Sequence, residues 1–242
     1  MDDFAARLEK VREQIAAAAS RAKREPTEIE LVAVSKTQTV ENIREAMRAG
    51  LHTFGENKVQ EAGRKIAELE RGSWHLIGHL QTNKAKVAVQ IFDSIDSVDR
   101  LELAQEIDLR AEPVGKTQNV LLQVNVAGES TKFGCSPEAA RSLAEAINNL
   151  PRLTLRGLMT IAPFSEEAEK SRPHFAALRD LRDTLERDTG LKLPVLSMGM
   201  SGDFAVAIEE GSTSVRIGTA LFGPRLTLKQ QRPADPSFAE ST

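Results

Sequence analysis

The sequence predicts a single closed (β/α)8 TIM barrel with an extra N-terminal helix, and three observations point there. Eight short β-branched runs alternate with helical stretches along the chain. Continuous apolar strands covered by helices imply a parallel sheet, and eight such units close naturally into a barrel. The length of 242 residues suits one unit of this kind, and no glycine-rich dinucleotide fingerprint follows the first run, which disfavours a doubly wound open sheet.

The N-terminal MDDFAARLEKVREQIAAAASRAKRE places Phe4, Leu8, Val11 and Ile15 at helical spacing among charges, so it reads as an amphipathic helix on the outside of the domain. The strand runs are LVAVSK (31–36), HTFGE (52–56), WHLIGHL (74–80), IFDSI (91–95), NVLLQVN (119–125), LRGLMTI (155–161), PVLSMGM (194–200) and STSVRIG (212–218). Apolar stripes mark helices between them: Val59, Ala62, Ile66, Leu69; Ala140, Leu143, Ile147, Leu150; and Phe175, Leu178, Leu181, Leu185. Ser136-Pro137-Glu138 signals a helix start, with an N-cap, a proline at the first helical position and an acid at the positive dipole end. Ser165-Glu166-Glu167 reads as a similar start, and another helix is expected near Phe204. Residues 1–227 form one domain in this reading, and the polar, aperiodic 228–242 a flexible C-terminal tail.

Composition removes several classes of function. With 32 basic and 35 acidic residues the net charge is -3, so no basic excess is available for nucleic acid. The N-terminus is charged throughout, and no apolar stretch approaches the ~20 residues that span a membrane. A cytoplasmic monomer is therefore expected, with no membrane partner. The lone Cys135 excludes an intramolecular disulfide and any multi-cysteine metal site.

Several suggestive strings fail. Gly115-Lys116-Thr117 lacks the glycine five residues earlier that a phosphate loop requires, Arg110 standing there instead. His75 and His79 share a face if both lie in a strand, yet no HExxH accompanies them and His52 and His174 have no evident carboxylate partner. Cys135 stands near a helix start, where a dipole lowers a thiol pKa, but without an identifiable base it reads as structural. Glu166-Glu167 and Glu209-Glu210 read as solvated helix faces.

Barrel chemistry gathers at the carboxyl ends of the strands. The first run ends in Lys36, which either presents a Schiff-base amine to the barrel mouth or pairs with an acid at the rim. The seventh runs into Ser197-Met198-Gly199-Met200-Ser201-Gly202-Asp203 and the eighth through Val215-Arg216-Ile217 into Gly218-Thr219-Ala220. Small residues, hydroxyls and helix starts at these two loops suit an anion, and this is the usual phosphate position in such barrels. An aldehyde that also carries phosphate fits both features, which leaves a sugar phosphate or pyridoxal 5'-phosphate (PLP). Arg216 favours PLP, because a permanent cation opposite the pyridine nitrogen keeps that nitrogen unprotonated. An ion pair with Glu209 or Glu210 is its alternative.

Taken together, VAVSKTQ around Lys36, FGENKVQE (54–61), WHLIGHLQTNK (74–84), QVNVAGESTKFG (123–134), GLMTIAP (157–163) and LSMGMSGDFAVAIEEGSTSVRIGTALFG (196–223) resemble the pyridoxal phosphate homeostasis family, the YggS/PROSC-like proteins. That family shares the fold of the N-terminal barrel of alanine racemase. The resemblance implies PLP as an internal aldimine on Lys36, phosphate contacts from Ser201, Gly218 and Thr219, and Arg216 near the ring nitrogen. Asn57 is implied as a pocket residue and His79 as a side wall; with Met200 these complete the expected cofactor-binding set, with no catalytic and no metal-binding residue. Lys58, Lys84 and Lys132 read as helix or loop charges, or as a basic rim that accepts PLP before transfer.

Three functions fit such a site: a PLP carrier acting in vitamin B6 and amino-acid homeostasis, a PLP-dependent amino-acid racemase, and a sugar-phosphate aldolase. Racemisation needs acid/base groups on both faces of the α-carbon. Alanine racemases supply one from a tyrosine of a second domain, whereas this sequence has no tyrosine. The carrier without robust catalysis of its own is the reading preferred, with PLP-dependent apoenzymes as possible recipients.

Overall fold

The computed structural model describes residues 4–69, 72–129 and 131–224. The predicted tail, 228–242, and the last three residues of the predicted domain lie outside these.

Eight parallel strands form a closed barrel in sequence order. The elements are α1 (Phe4–Arg21), β1 (Glu30–Val34), α2 (Val40–Arg48), β2 (Thr53–Glu56), α3 (Val59–Ile66), β3 (Ser73–Leu76), α4 (Ala85–Ile91), β4 (Ser94–Val98), α5 (Leu101–Ala111), β5 (Gln118–Gln123), α6 (Pro137–Asn148), β6 (Leu153–Met159), α7 (Arg172–Thr189), β7 (Val195–Met200), α8 (Phe204–Glu209), β8 (Ser214–Ile217) and α9 (Thr219–Phe222). Closure is made by β1 against β8, with Val32 opposite Arg216 and Ala33 opposite Ile217. The main apolar core lies between strands and helices, where Phe54, Leu76, Ile95, Leu122, Leu158 and Leu196 meet Ile43, Ala62, Val89, Ile107, Ile147 and Leu178.

The leading helix is amphipathic as expected, burying Phe4, Leu8, Val11 and Ile15 together with Ala18 and Ala19. It packs on α8 and α9. Arg7 Nε donates to Leu221 O at 2.6 Å, and the Phe4 and Phe222 rings lie 5.4 Å apart. This helix therefore buttresses the two short helices that follow β7 and β8. No helix among the described residues is long and apolar enough to cross a membrane.

Ser136 caps α6 as predicted, accepting from Ala139 N–H with Pro137 in the first turn. Ser165 does not start a helix: its Oγ accepts from Glu167 N–H in a local turn, and α7 begins only at Arg172, after a short 3-10 segment. Pro173, suited to a first helical turn, sets that later start.

Most strand boundaries fall within two residues of the sequence reading, and two strands depart from it by three or more. The fourth was expected at 91–95, but α4 continues through Ile91, and the strand is Ser94–Val98. Ala85, Ala88, Val89 and Phe92 are all buried at helical spacing, which carries the helix past the predicted strand start. The third was expected to reach Leu80 but ends at Leu76. Gly78 lies so close to the chain after β2 that a Cβ there would stand 2.3 Å from Asn57 O. That close backbone approach turns the loop away from the strand direction.

Candidate functional site

At the carboxyl end of the barrel a cavity of about 330 Å³ is lined by Val34, Lys36, Asn57, Ile77, Ile161, Pro163, Phe164, Ser165, Met200, Ser201, Gly202, Asp203, Arg216, Gly218 and Thr219. Seven of the eight expected site residues are brought together here, and His79 is not among them. The volume falls within the ~300–1,000 Å³ usual for small-molecule sites.

The first strand was expected to end in Lys36, but β1 stops at Val34 and Lys36 stands in a turn closed by Gln38 N–H donating to Ser35 O at 2.9 Å. Val34 and Lys36 both line the cavity, while Ser35 between them faces away and is fully buried. The sheet pairing continues past β1, since Ser35 N–H donates to Gly55 O at 3.0 Å. Asn57 follows β2, and its buried Oδ1 has no hydrogen-bond partner among the described residues. A buried acceptor left unpaired is costly unless a ligand satisfies it.

Arg216, on β8, is 4% exposed. Its guanidinium donates to Ser197 Oγ at 2.6 Å and to Thr160 O at 2.7 Å, bridging β7 and the end of β6. Burial draws its pKa down to about 10, against the favourable charges of Asp96 and Asp203. It remains a cation at neutral pH. The alternative pairing with Glu209 or Glu210 is overturned, because those carboxylates bind Arg21, Arg172 and Arg179 instead. Glu209 and Glu210 thus form a part-buried ion network rather than a solvated face.

The loops after β7 and β8 meet at Ser201. Its Oγ accepts from Gly218 N–H and Ala220 N–H, each at 3.3 Å. Those amides, expected to be unpaired, are held by the very hydroxyl expected beside them; both groups converge on one wall. Asp203 fixes the turn, accepting from Met200 N–H at 2.7 Å and from Ser171 Oγ at 3.0 Å. Gly199 is required here: its φ is +94°, and a Cβ would stand 2.6 Å from the Ala207 Cβ.

His79 lies in the loop after β3, where its ring stacks on Phe133 with centroids 3.8 Å apart. Burial lowers its pKa, and Asp99 works against that. His75 lies elsewhere, at the opposite end of the barrel. It forms a 3.1 Å contact with Asp96 and lines a small cleft with Glu30, Ser73, Asp93 and Arg156. The two histidines share no face, because β3 ends between them. Burial disfavours the His75 imidazolium, but Asp96, Glu30 and Asp93 outweigh it and raise the pKa. Cys135 is buried, and desolvation pushes its thiol up to about 12, so it is a structural residue.

Two groups escaped the sequence reading. Phe164, 90% exposed, stands at the mouth as part of the lining. Behind Lys36, the fully buried Glu56 pairs with Lys65 at 2.7 Å, in the family string FGENKVQE and the helix that follows it. A nine-residue spacing from strand end to helix gave no local signal for that pair.

The barrel and this cavity define a class, and comparison with known proteins agrees. The family described as "Alanine racemase, N-terminal domain" matches residues 6–225, so the chain belongs to it. Alanine racemase of Clostridium difficile 630 superposes with a TM-score of 0.74 at 17% identity, over 94% of this chain and 58% of that one, a likeness of fold.

Within that class the chain belongs to the pyridoxal phosphate homeostasis protein family. It is 49% identical over 221 residues to the pyridoxal phosphate homeostasis protein of Aquifex aeolicus, covering 90% of this chain and 97% of that protein. The corresponding figures for the Pseudomonas aeruginosa protein of that name are 47% over 228 residues, 93% and 97%. PipY of Synechococcus elongatus, solved with PLP bound, is 41% identical with a TM-score of 0.77, covering 86% of this chain and all of that one.

Proposed function

We propose that this chain is a PLP-binding protein that holds the cofactor on Lys36 as a Schiff base and acts in intracellular PLP and amino-acid homeostasis without robust catalysis of its own. The observation that carries this reading is one cavity that joins Lys36, the buried cation Arg216 and the Ser201–Gly218–Thr219 wall. PLP, when bound, supplies an aldehyde that condenses reversibly with a primary amine, together with a pyridine ring and a phosphate.

The residues present fit those three parts. Lys36 contributes the amine. Arg216 sets a fixed positive charge beside the cavity, which disfavours a proton on a nearby ring nitrogen and so weakens the ring as an electron sink. Ser201, Gly218 and Thr219 provide the hydroxyl and backbone groups for the phosphate, and Asn57 Oδ1 offers an acceptor to a ligand donor. Met200 borders the same space.

Carriage is favoured over turnover by the absence of tyrosine from the sequence and by His79 stacking on Phe133 rather than lining the cavity. Neither supplies the second acid/base group that racemisation needs. The relatives are likewise named for homeostasis. Apo forms of PLP-dependent enzymes are the proposed recipients, and a monomer is the proposed state.

The test is absorbance of purified protein loaded with PLP. The wild type should show a visible band that Lys36→Ala removes while the fold, followed by far-ultraviolet circular dichroism, is kept. A band of unchanged intensity in the variant contradicts the assignment.

A further inference from the structure

We propose that Glu61, Lys65 and Glu56 form a positioning cluster that fixes the backbone on both sides of Lys36 and so aims that side chain into the cavity. The inference rests on Lys36 being the residue that takes PLP.

Besides the turn bond that its carbonyl accepts from Gln38 N–H at 2.9 Å, the residue before Lys36 is tied down three ways. Ser35 Oγ donates to Glu56 Oε1 at 2.7 Å, its N–H donates to Gly55 O at 3.0 Å, and its carbonyl accepts from Lys65 Nζ at 2.7 Å. The residue after Lys36 is also held. Thr37 N–H donates to Glu61 Oε1 at 2.6 Å.

Thr37 has φ +66°, a left-handed conformation that is unfavourable for a β-branched side chain. Such a conformation persists only where surrounding contacts impose it, and it concentrates at functional sites. Here it belongs to the Ser35–Gln38 turn, closed by Gln38 N–H donating to Ser35 O at 2.9 Å, and the Glu61 carboxylate adds a second restraint on its N–H.

One ammonium joins the two sides. Lys65 Nζ lies 2.7 Å from each of Ser35 O, Glu56 Oε1 and Glu61 Oε1, which uses all three of its protons. Lys65 is itself 7% exposed. A buried ion cluster of this kind is a weak source of stability, since apolar residues of similar volume often do as well. Its contacts instead converge on the two peptide units that flank Lys36. Lys36 and Thr37 occupy a turn just past β1, so a local rotation at 35–37 would re-aim the Lys36 side chain. The cluster opposes that rotation.

The experiment uses the full chain, freed of PLP, with three variants: Glu61→Ala, Glu61→Gln and the doubly neutral Glu56→Gln/Lys65→Met. PLP association is followed by visible absorbance, and backbone amide exchange at Thr37 by mass spectrometry or NMR. Glu61 is a quarter exposed, so its variants should stay folded. Glu61→Ala should weaken PLP association about tenfold, equivalent to ~1.4 kcal/mol, and speed Thr37 exchange at least about tenfold. Glu61→Gln retains an acceptor for Thr37 N–H and should return both measurements to within about threefold of wild type. The double variant should fold and lose PLP association to a similar extent as Glu61→Ala.

Folded variants with wild-type association overturn the positioning role, whatever happens to their unfolding midpoints. Unchanged Thr37 exchange in Glu61→Ala also overturns it, with or without PLP. A wild type that takes no PLP on Lys36 contradicts the binding reading separately, and the exchange measurement still decides whether the cluster holds the backbone.

Discussion

Replacing Lys65 with methionine should destabilise the protein in a way that depends on pH. The change leaves the stem volume but removes the ammonium from Glu56, which is fully buried, and from Glu61. Breaking a buried pair by removing one partner costs about 3–5 kcal/mol, because a charge is left without compensation. For a domain of this size that corresponds to a fall in Tm of roughly 6–20 °C.

The pH signature follows from the direction of the Glu56 shift. Burial already raises its pKa in the wild type, against the Lys65 and Ser35 hydrogen bonds. Without Lys65 the folded-state pKa rises further. A carboxyl group with a raised folded pKa favours the folded state when protonated, and that contribution is lost as pH rises through the folded value. The deficit of Lys65→Met against wild type should therefore be largest at pH 7–8 and shrink toward pH 5. Glu56→Gln added to Lys65→Met should recover at least about half of the lost stability, since no buried charge remains. Equilibrium urea unfolding at several pH values measures all of this. A loss below ~1 kcal/mol, a deficit independent of pH, or a double variant no more stable than the single would refute the reasoning.

Other consequences concern the cavity directly. Arg216→Gln removes the fixed cation, so the acid transition of the PLP absorbance should move to higher pH by about one unit or more; an unmoved transition would leave Arg216 only its bonds to Ser197 and Thr160. Ser201→Ala with Thr219→Ala should raise the Kd for PLP about tenfold while changing that for unphosphorylated pyridoxal little, as read by equilibrium dialysis. Equal losses for both ligands would contradict the phosphate wall. Gly78→Ala places a Cβ 2.3 Å from Asn57 O, which should cost ~1–3 kcal/mol by overpacking and weaken PLP binding as Asn57 shifts; unchanged urea unfolding would contradict that close contact.

Much of the architecture was legible because strand and helix patterns follow simple periods. The eight runs appeared as apolar segments, and Phe4, Leu8, Val11 and Ile15 marked one helical face. The fourth strand was displaced because Ser94, Asp96 and Ser97 are buried polar residues, which hide a strand from an apolar search, while Ile91 and Phe92 extend the apolar pattern of α4 into its apparent start. Lys36, Arg216 and the loops at Ser201 and Gly218 were readable because barrel topology assigns strand ends a common mouth. The end of β3 before His79 was hidden because nothing local announces that Gly78 passes against Asn57. The Glu56–Lys65 pair and the local partner of Ser201 Oγ arise from side-chain direction across separate elements, and no spacing rule contains them.

The most direct measurement is the site of covalent attachment. One equivalent of PLP added to the cofactor-free chain, followed by borohydride reduction, proteolysis and mass spectrometry, should place the pyridoxyl label on the peptide that contains Lys36. A label on another lysine, or none on that peptide, would contradict the account.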